Sequence, residues 1–237
     1  PSAANAILGI GTKTDDPENY LHDFYSHGIN DEFIEPAALG PDPRGVEEND
    51  AVIFFDCDGT PLKTLVNAVA AGTDTPQGVS VTTIADYGLA DTIPTAFKDD
   101  LPEKTLGSVL AENGKIQFRI AETDRYPHVT YFMNGRKDTS FTNEYRILVP
   151  AENVARKDER PEMMTTEIAN RTMQAIEEGI GFIVVNVAAP DMIAHTGNFR
   201  AALRTAQAVD REVGNIAQTA LARGAILIIT ADHGNIE

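Results

Sequence analysis

The sequence predicts an α/β protein, on three observations. FIVVNVA (182–188) and AILIIT (225–230) are strand-length and almost wholly apolar, as parallel strands covered on both faces are. Between them, 199–223 reads as one amphipathic helix. Phe199, Leu203, Ala206, Val209, Val213, Ile216 and Ala220 step by three and four along one face. Strand, long helix, strand implies a right-handed parallel crossover. Finally, 237 residues with 42% hydrophobic content suffice for one large core or two small ones.

From the N-terminus, TDDPENYLHDFYSHGI (14–29) reads as a short helix capped by Thr14, with Pro17 in its first turn and Gly28 at its end. Its His22 and His27 are expected on the surface. Residues 36–50 are loop by their Pro, Gly and acid content. AVIFF (51–55) reads as a buried strand, LKTLVNAVAAG (62–72) as a helix closed by Gly72, and GVSVTTIAD (78–86) as a strand. Two prolines and clustered charges in 92–104 put a domain boundary near Leu101. Beyond it come a helix over 105–114, strands at 115–122, 128–133 and 145–150, and a long helix over 162–179. His128 would open the second of those strands. No internal repeat or low-complexity segment is present.

The net charge of −17 repels nucleic acid and anionic membrane surfaces, so neither is an expected partner. No apolar run approaches the ~20 residues that span a bilayer, and no basic-then-apolar signal opens the chain. The single cysteine, Cys57, allows no internal disulfide and suits a reducing cytoplasm; it is expected as a small apolar filler beside a strand. With no initiator Met, and a last stretch just past a strand, the chain is expected to be part of a longer one.

The strongest chemical signal flanks the crossover. PDMIAHTG (190–197) places Asp191 and His195 four apart, on one side of a helical turn. TADHGN (230–235) puts Asp232 beside His233. Both stretches follow the carboxyl ends of strands, where open α/β sheets build their sites. Carboxylate oxygen with imidazole nitrogen suits manganese or zinc. An adjacent Asp and His project differently and suit one ion of a close pair, with Asp191 and His195 on the other. Each acid also has a plain structural use: Asp191 as a cap, Asp232 as a turn residue. In ETDRYPHV (122–129), Arg125 is either a solvated arginine or, in so acidic a chain, a phosphate binder.

Two resemblances enter here. VIFFDCDGT (52–60) resembles the first motif of haloacid-dehalogenase-type phosphatases, with Asp56 as nucleophile and Asp58 as acid and base; the downstream Lys and acidic pair of that family have no convincing counterpart. Nearly the whole chain, in order, resembles the cofactor-independent phosphoglycerate mutases of the alkaline-phosphatase superfamily. The matching stretches include GINDEFIEP (28–36), NDAVIFF (49–55), RIAETDRYPHVTYF (119–132), RPEMM (160–164), NVAAPDMIAHTG (186–197) and IITADHGN (228–235). The resemblance implies an alkaline-phosphatase-like parallel sheet domain and part of a smaller inserted α/β substrate domain. Residues 1–100 would be the later part of the inserted domain and 101–237 the first portion of the returning metal-binding domain.

It further implies a glycolytic isomerase of the cytoplasm, expected as a monomer, that interconverts 3- and 2-phosphoglycerate through a phosphoserine at a two-manganese site. Asp191 and His195 would bind one Mn²⁺, and Asp232 and His233 the other. Arg125 stands where the family has a lysine on the phosphoryl group. The serine and further ligands would lie outside these residues, so the chain alone is expected to be inactive. The sharpest departure is at 56–61: where the family carries two substrate-gripping arginines, this chain has DCDGTP, with Asp58 and Pro61 at their places and Lys63 as a substitute cation or a solvated helix residue. That change points to weakened or redirected substrate binding, as in a metal-dependent phosphatase or mutase of another phosphoester, or to a degenerate paralogue.

Overall fold

A computed structural model describes residues 2–40, 44–59, 61–98 and 100–236. Part of the predicted 36–50 loop, Thr60 of the VIFFDCDGT stretch and Asp99 before the predicted boundary lie outside the described residues. The chain forms two compact units, Pro1–Asp100 and Leu101–Glu237.

The first unit contains α1 (Ser2–Ile7), β1 (Lys13–Thr14), α2 (Pro17–Ser26), β2 (Ala38–Leu39), β3 (Ala51–Phe54), α3 (Lys63–Ala71) and β4 (Ser80–Thr83). β1 pairs with β2 and β3 with β4, both parallel. α3 turns Val66 and Val69 inward onto Phe54, Val81 and Tyr87. Three expectations are corrected here. The cap of α2 is Asp16, whose carboxylate accepts the Asn19 N–H at 2.9 Å. Thr14 instead sits in β1, two residues short of the helix, its hydroxyl accepting the Asp16 N–H. The 51–55 segment is not buried: a two-stranded ladder packs on one side, so Phe54 is covered while Ile53 and Phe55 face solvent. Cys57 is exposed in the bend after β3, not a filler.

The second unit contains α4 (Leu106–Glu112), β5 (Gln117–Glu122), α5 (Tyr126–Val129), β6 (Glu144–Val149), α6 (Thr165–Glu177), β7 (Phe182–Val185), α7 (Ala189–Ala194) and α8 (Phe199–Ala222). Its sheet runs β6-β5-β7, all parallel, and every residue of central β5 is buried. Ile120, Phe118, Val149 and Ile168 form its apolar core.

The predicted strand 128–133 is helix and turn instead. Pro127 sits in the first turn of α5, where its missing N–H costs nothing and its fixed φ suits a helix. The Thr130 hydroxyl donates to the Tyr126 carbonyl, and the Phe132 N–H to that of Pro127. The β-branched and aromatic run was a weak signal against those bonds. On α8 the covered stripe is Ala201, Thr205, Ala208, Glu212, Ile216 and Ala220. Phe199 and Leu203, expected inside, are exposed. Small residues win because α8 lies close on α6; the Thr205 hydroxyl reaches the Pro161 carbonyl at 2.6 Å and Thr166 reaches Glu212 at 3.1 Å. AILIIT (225–230) has no assigned secondary structure and is unpaired among the described residues, with Ile226 93% and Ile228 81% exposed. An apolar segment becomes a strand only when a neighbour completes its ladder. Among the described residues the crossover predicted from 182–188 to 225–230 has its first strand and helix but no paired second strand.

Candidate metal centre

β7 ends at Val185, but the Asn186 N–H still donates to the Ile120 carbonyl on β5 at 3.1 Å. The chain then turns into α7, with Pro190 in its first turn and Ile193 wholly buried as its anchor. Asp191 and His195 consequently share a face, with Asp191 Oδ1 3.4 Å from His195 Nε2. Arg125 closes the 3₁₀ turn after β5, and its guanidinium pairs with Asp191 Oδ2. Asn235 donates its Nδ2–H to Asp191 Oδ1 at 2.8 Å and lies 3.4 Å from His195 Nε2. Three separate segments thus meet at Asp191. Partial burial opposes ionisation of this carboxyl, but the Asn235 amide and the Arg125 charge outweigh it and hold it below the usual range.

Asp232 and His233 form a looser pair. Their side chains are 3.7 Å apart and largely exposed, and Asp232 Oδ1 accepts the His233 N–H at 3.2 Å. His233 Nδ1 lies 2.8 Å from the Gly234 carbonyl, which assigns the proton to Nδ1 and leaves Nε2 as the donor atom for a metal. That backbone bond first, then the Asp232 and Asp191 charges, raise the imidazole above its ordinary pKa.

Two ligands about 2.1 Å from a tetrahedral ion stand roughly 3.4 Å apart. Asp191 Oδ1 and His195 Nε2 have that separation, so this pair fits a divalent ion. Among the described residues no group of three or more His, Cys, Asp or Glu converges on one point. The four expected ligands therefore stand as two pairs. Asn235 is the residue that the sequence reading missed; its only signal was its place at the end of TADHGN.

Lys63 opens α3 in the first unit and is exposed. Asp56 closes its own bend, its Oδ1 accepting the Asp58 N–H at 2.9 Å. The Tyr87 hydroxyl donates to the Asp56 carbonyl at 2.5 Å, and Gly59 lies so close to that ring that a Cβ would stand 2.2 Å from it. His22 and His27 are exposed, as expected.

Residues 61–237 match the family model of the metalloenzyme superfamily. The chain belongs to that superfamily. Its similar relatives include 2,3-bisphosphoglycerate-independent phosphoglycerate mutases. That of Wolinella succinogenes is 38% identical over 230 residues, covering 93% of this chain and 46% of the relative. That of Haloarcula marismortui is 40% identical over 221 residues, covering 90% and 42%. A crystal structure of Leishmania mexicana phosphoglycerate mutase at low cobalt concentration matches with a TM-score of 0.74 at 21% identity, over 99% of this chain and 46% of that one. This likeness shows the fold, α/β with parallel sheets of the alkaline-phosphatase type. The chain spans a little under half the length of these relatives. Among the described residues no helix is long and apolar enough to cross a membrane.

Proposed function

We propose that this chain supplies part of a phosphoglycerate mutase that interconverts 3-phosphoglycerate and 2-phosphoglycerate through a phosphoserine. Residues 1–100 are assigned to the inserted substrate domain and 101–237 to the metal-binding domain. The observation that carries this reading is the meeting of Arg125, Asp191, His195 and Asn235, from three motifs, at one carboxylate. Asp191 with His195 would hold one Mn²⁺, and Asp232 with His233 the other. Bound there, the ions would lower the pKa of a serine hydroxyl and offset charge on the transferring phosphoryl group. Asp191 orients the Arg125 guanidinium, whose remaining N–H groups suit phosphoryl oxygens. Lys63 is assigned a lesser part as a substrate cation in the first unit. The protein is read as a cytoplasmic glycolytic enzyme, monomeric, acting on a small phosphorylated acid.

The test is to load the full-length protein that carries this chain with Mn²⁺, supply 3-phosphoglycerate and follow the products by phosphorus NMR. Formation of 2-phosphoglycerate, lost in both Asp191→Asn and Asp232→Asn, is the expected result. One observation favours a second reading: the 56–59 bend exposes the Asp58 carboxylate where the resemblance calls for an arginine, with the Asp56 carboxylate exposed beside it. Phosphate release without 2-phosphoglycerate would favour a phosphatase or mutase of another phosphoester. Bound Mn²⁺ with no turnover would mark a degenerate paralogue.

A further inference from the structure

The largest wholly buried side chain of the second unit is a cation that the proposed reaction does not use. Arg119, on β5, is 0% exposed. Its Nη1 donates to the Val129 carbonyl at 2.9 Å and its Nη2 to Gln117 Oε1 at 2.8 Å. Gln117 Nε2 in turn donates to the Gly107 carbonyl at 2.8 Å. Glu144, also buried, lies 3.8 Å from Arg119 Nε and accepts from Asn134, Arg146 and the Phe141 N–H. Gly107 makes room for the guanidinium: a Cβ there would stand 2.6 Å from Nη2.

This network is poorly suited to stability alone. A buried ion pair is often no more stabilising than apolar residues of the same volume. Arg119 Nε, Arg146 Nη2 and Asn134 Oδ1 are buried without a hydrogen-bond partner, which costs free energy. Its geometric effect is specific. Val129 ends α5, a helix of four residues, and Arg125 is the N-cap of that helix. The Thr130 hydroxyl ties the next residue back to the Tyr126 carbonyl. Arg119 therefore grips, through the Val129 carbonyl, the short turn whose other end presents Arg125 to Asp191.

We propose that Arg119 is a positioning residue, which holds the 123–129 turn through the Val129 carbonyl so that Arg125 meets Asp191. A phosphoryl-handling consequence follows only if the mutase reading above is correct; the positioning itself does not depend on it. Two readouts on the full-length protein separate these claims. The first is the side-chain NMR resonance of Arg125, assigned by its loss in Arg125→Lys. In Arg119→Met this signal is expected to broaden or move to the free-arginine position while backbone signals of α6 and α8 stay put; in Arg119→Lys the change is smaller. An unmoved Arg125 signal in folded Arg119→Met overturns the proposal, whatever the protein's activity.

The second readout is a double-mutant cycle on turnover of 3-phosphoglycerate. Arg119→Met should cost about 100-fold in kcat/KM when Arg125 is present, as a misplaced group does. It should cost nothing further in the Arg125→Ala background. Additive losses would mean a merely structural role and also overturn it. If the wild-type protein shows no turnover, the mutase reading fails and the NMR result alone decides. Should Arg119→Met not fold, Gln117→Met, which frees the guanidinium from its second anchor, is judged by the same outcomes.

Discussion

The 190–197 and 230–235 stretches have the same ingredients, an acid and an imidazole after an apolar run, yet they are supported very differently. The first follows a strand in the ladder with β5, and its helix is pinned by the buried Ile193. The second follows a segment that is in no ladder among the described residues and whose isoleucines are exposed, and its Asp232 and His233 side chains face solvent. Its described link to the first is the Asn235 amide on Asp191. A short motif can thus set which atoms are available to a metal, while the precision with which they are held comes from the backbone behind them.

The largest test of this contrast is a pair of truncations. Ile193→Ala should cost about 2–5 kcal/mol, as a fully buried large-to-small change does. Ile228→Ala, at a residue 81% exposed, should stay within about 0.5 kcal/mol. Urea unfolding of the two variants measures both, and equal costs would end the distinction. Manganese comes next: at 100 times its Kd an ion should add about 2.7 kcal/mol of stability. Thermal melts should show most of that gain lost in Asp191→Asn and less of it in Asp232→Asn; the reverse order would make the exposed pair the tighter site.

A smaller effect tests how far the firm support extends past the first motif. Asn198 caps α8 and donates to the Asp158 carboxylate at 2.9 Å. That bond first, helped by Arg156 against the effect of burial, holds Asp158 below its ordinary value of 3.8. A lowered folded pKa contributes stability above the ordinary value and loses it as pH falls through the folded one. Asn198→Ala should therefore cost about 1 kcal/mol at neutral pH and flatten the acid limb of a stability–pH curve. Glu122, at the end of β5, has the opposite sign. Burial raises its carboxyl, outweighing the Met164 N–H, so its contribution is present below 4.5 and is lost as pH rises through the folded value. Glu122→Gln should remove that decline, the smallest of these effects, read from denaturation midpoints at acidic and neutral pH.

The errors in reading the sequence share a cause. HVTYFM looks like a strand by residue type, but Pro127 and the Thr130 hydroxyl make a helical turn of it. The face of α8 was set by its largest residues on paper and by its smallest in the fold, because Ala201, Thr205 and Ala208 allow α6 to approach. Arg119 and Gln117 lay inside a segment read only as a strand. Nothing in their spacing signals that both are buried or that they meet Val129 and Gly107.

Residue chemistry and periodicity were enough for the α/β class, for most of the elements and for the pairing of Asp191 with His195, since these depend on neighbours within a turn or a strand. The joining of Arg125, Asn235 and Asp191 and the buried footing beneath Arg125 belong to the folded chain. They depend on contacts between residues tens of positions apart, which local pattern does not encode.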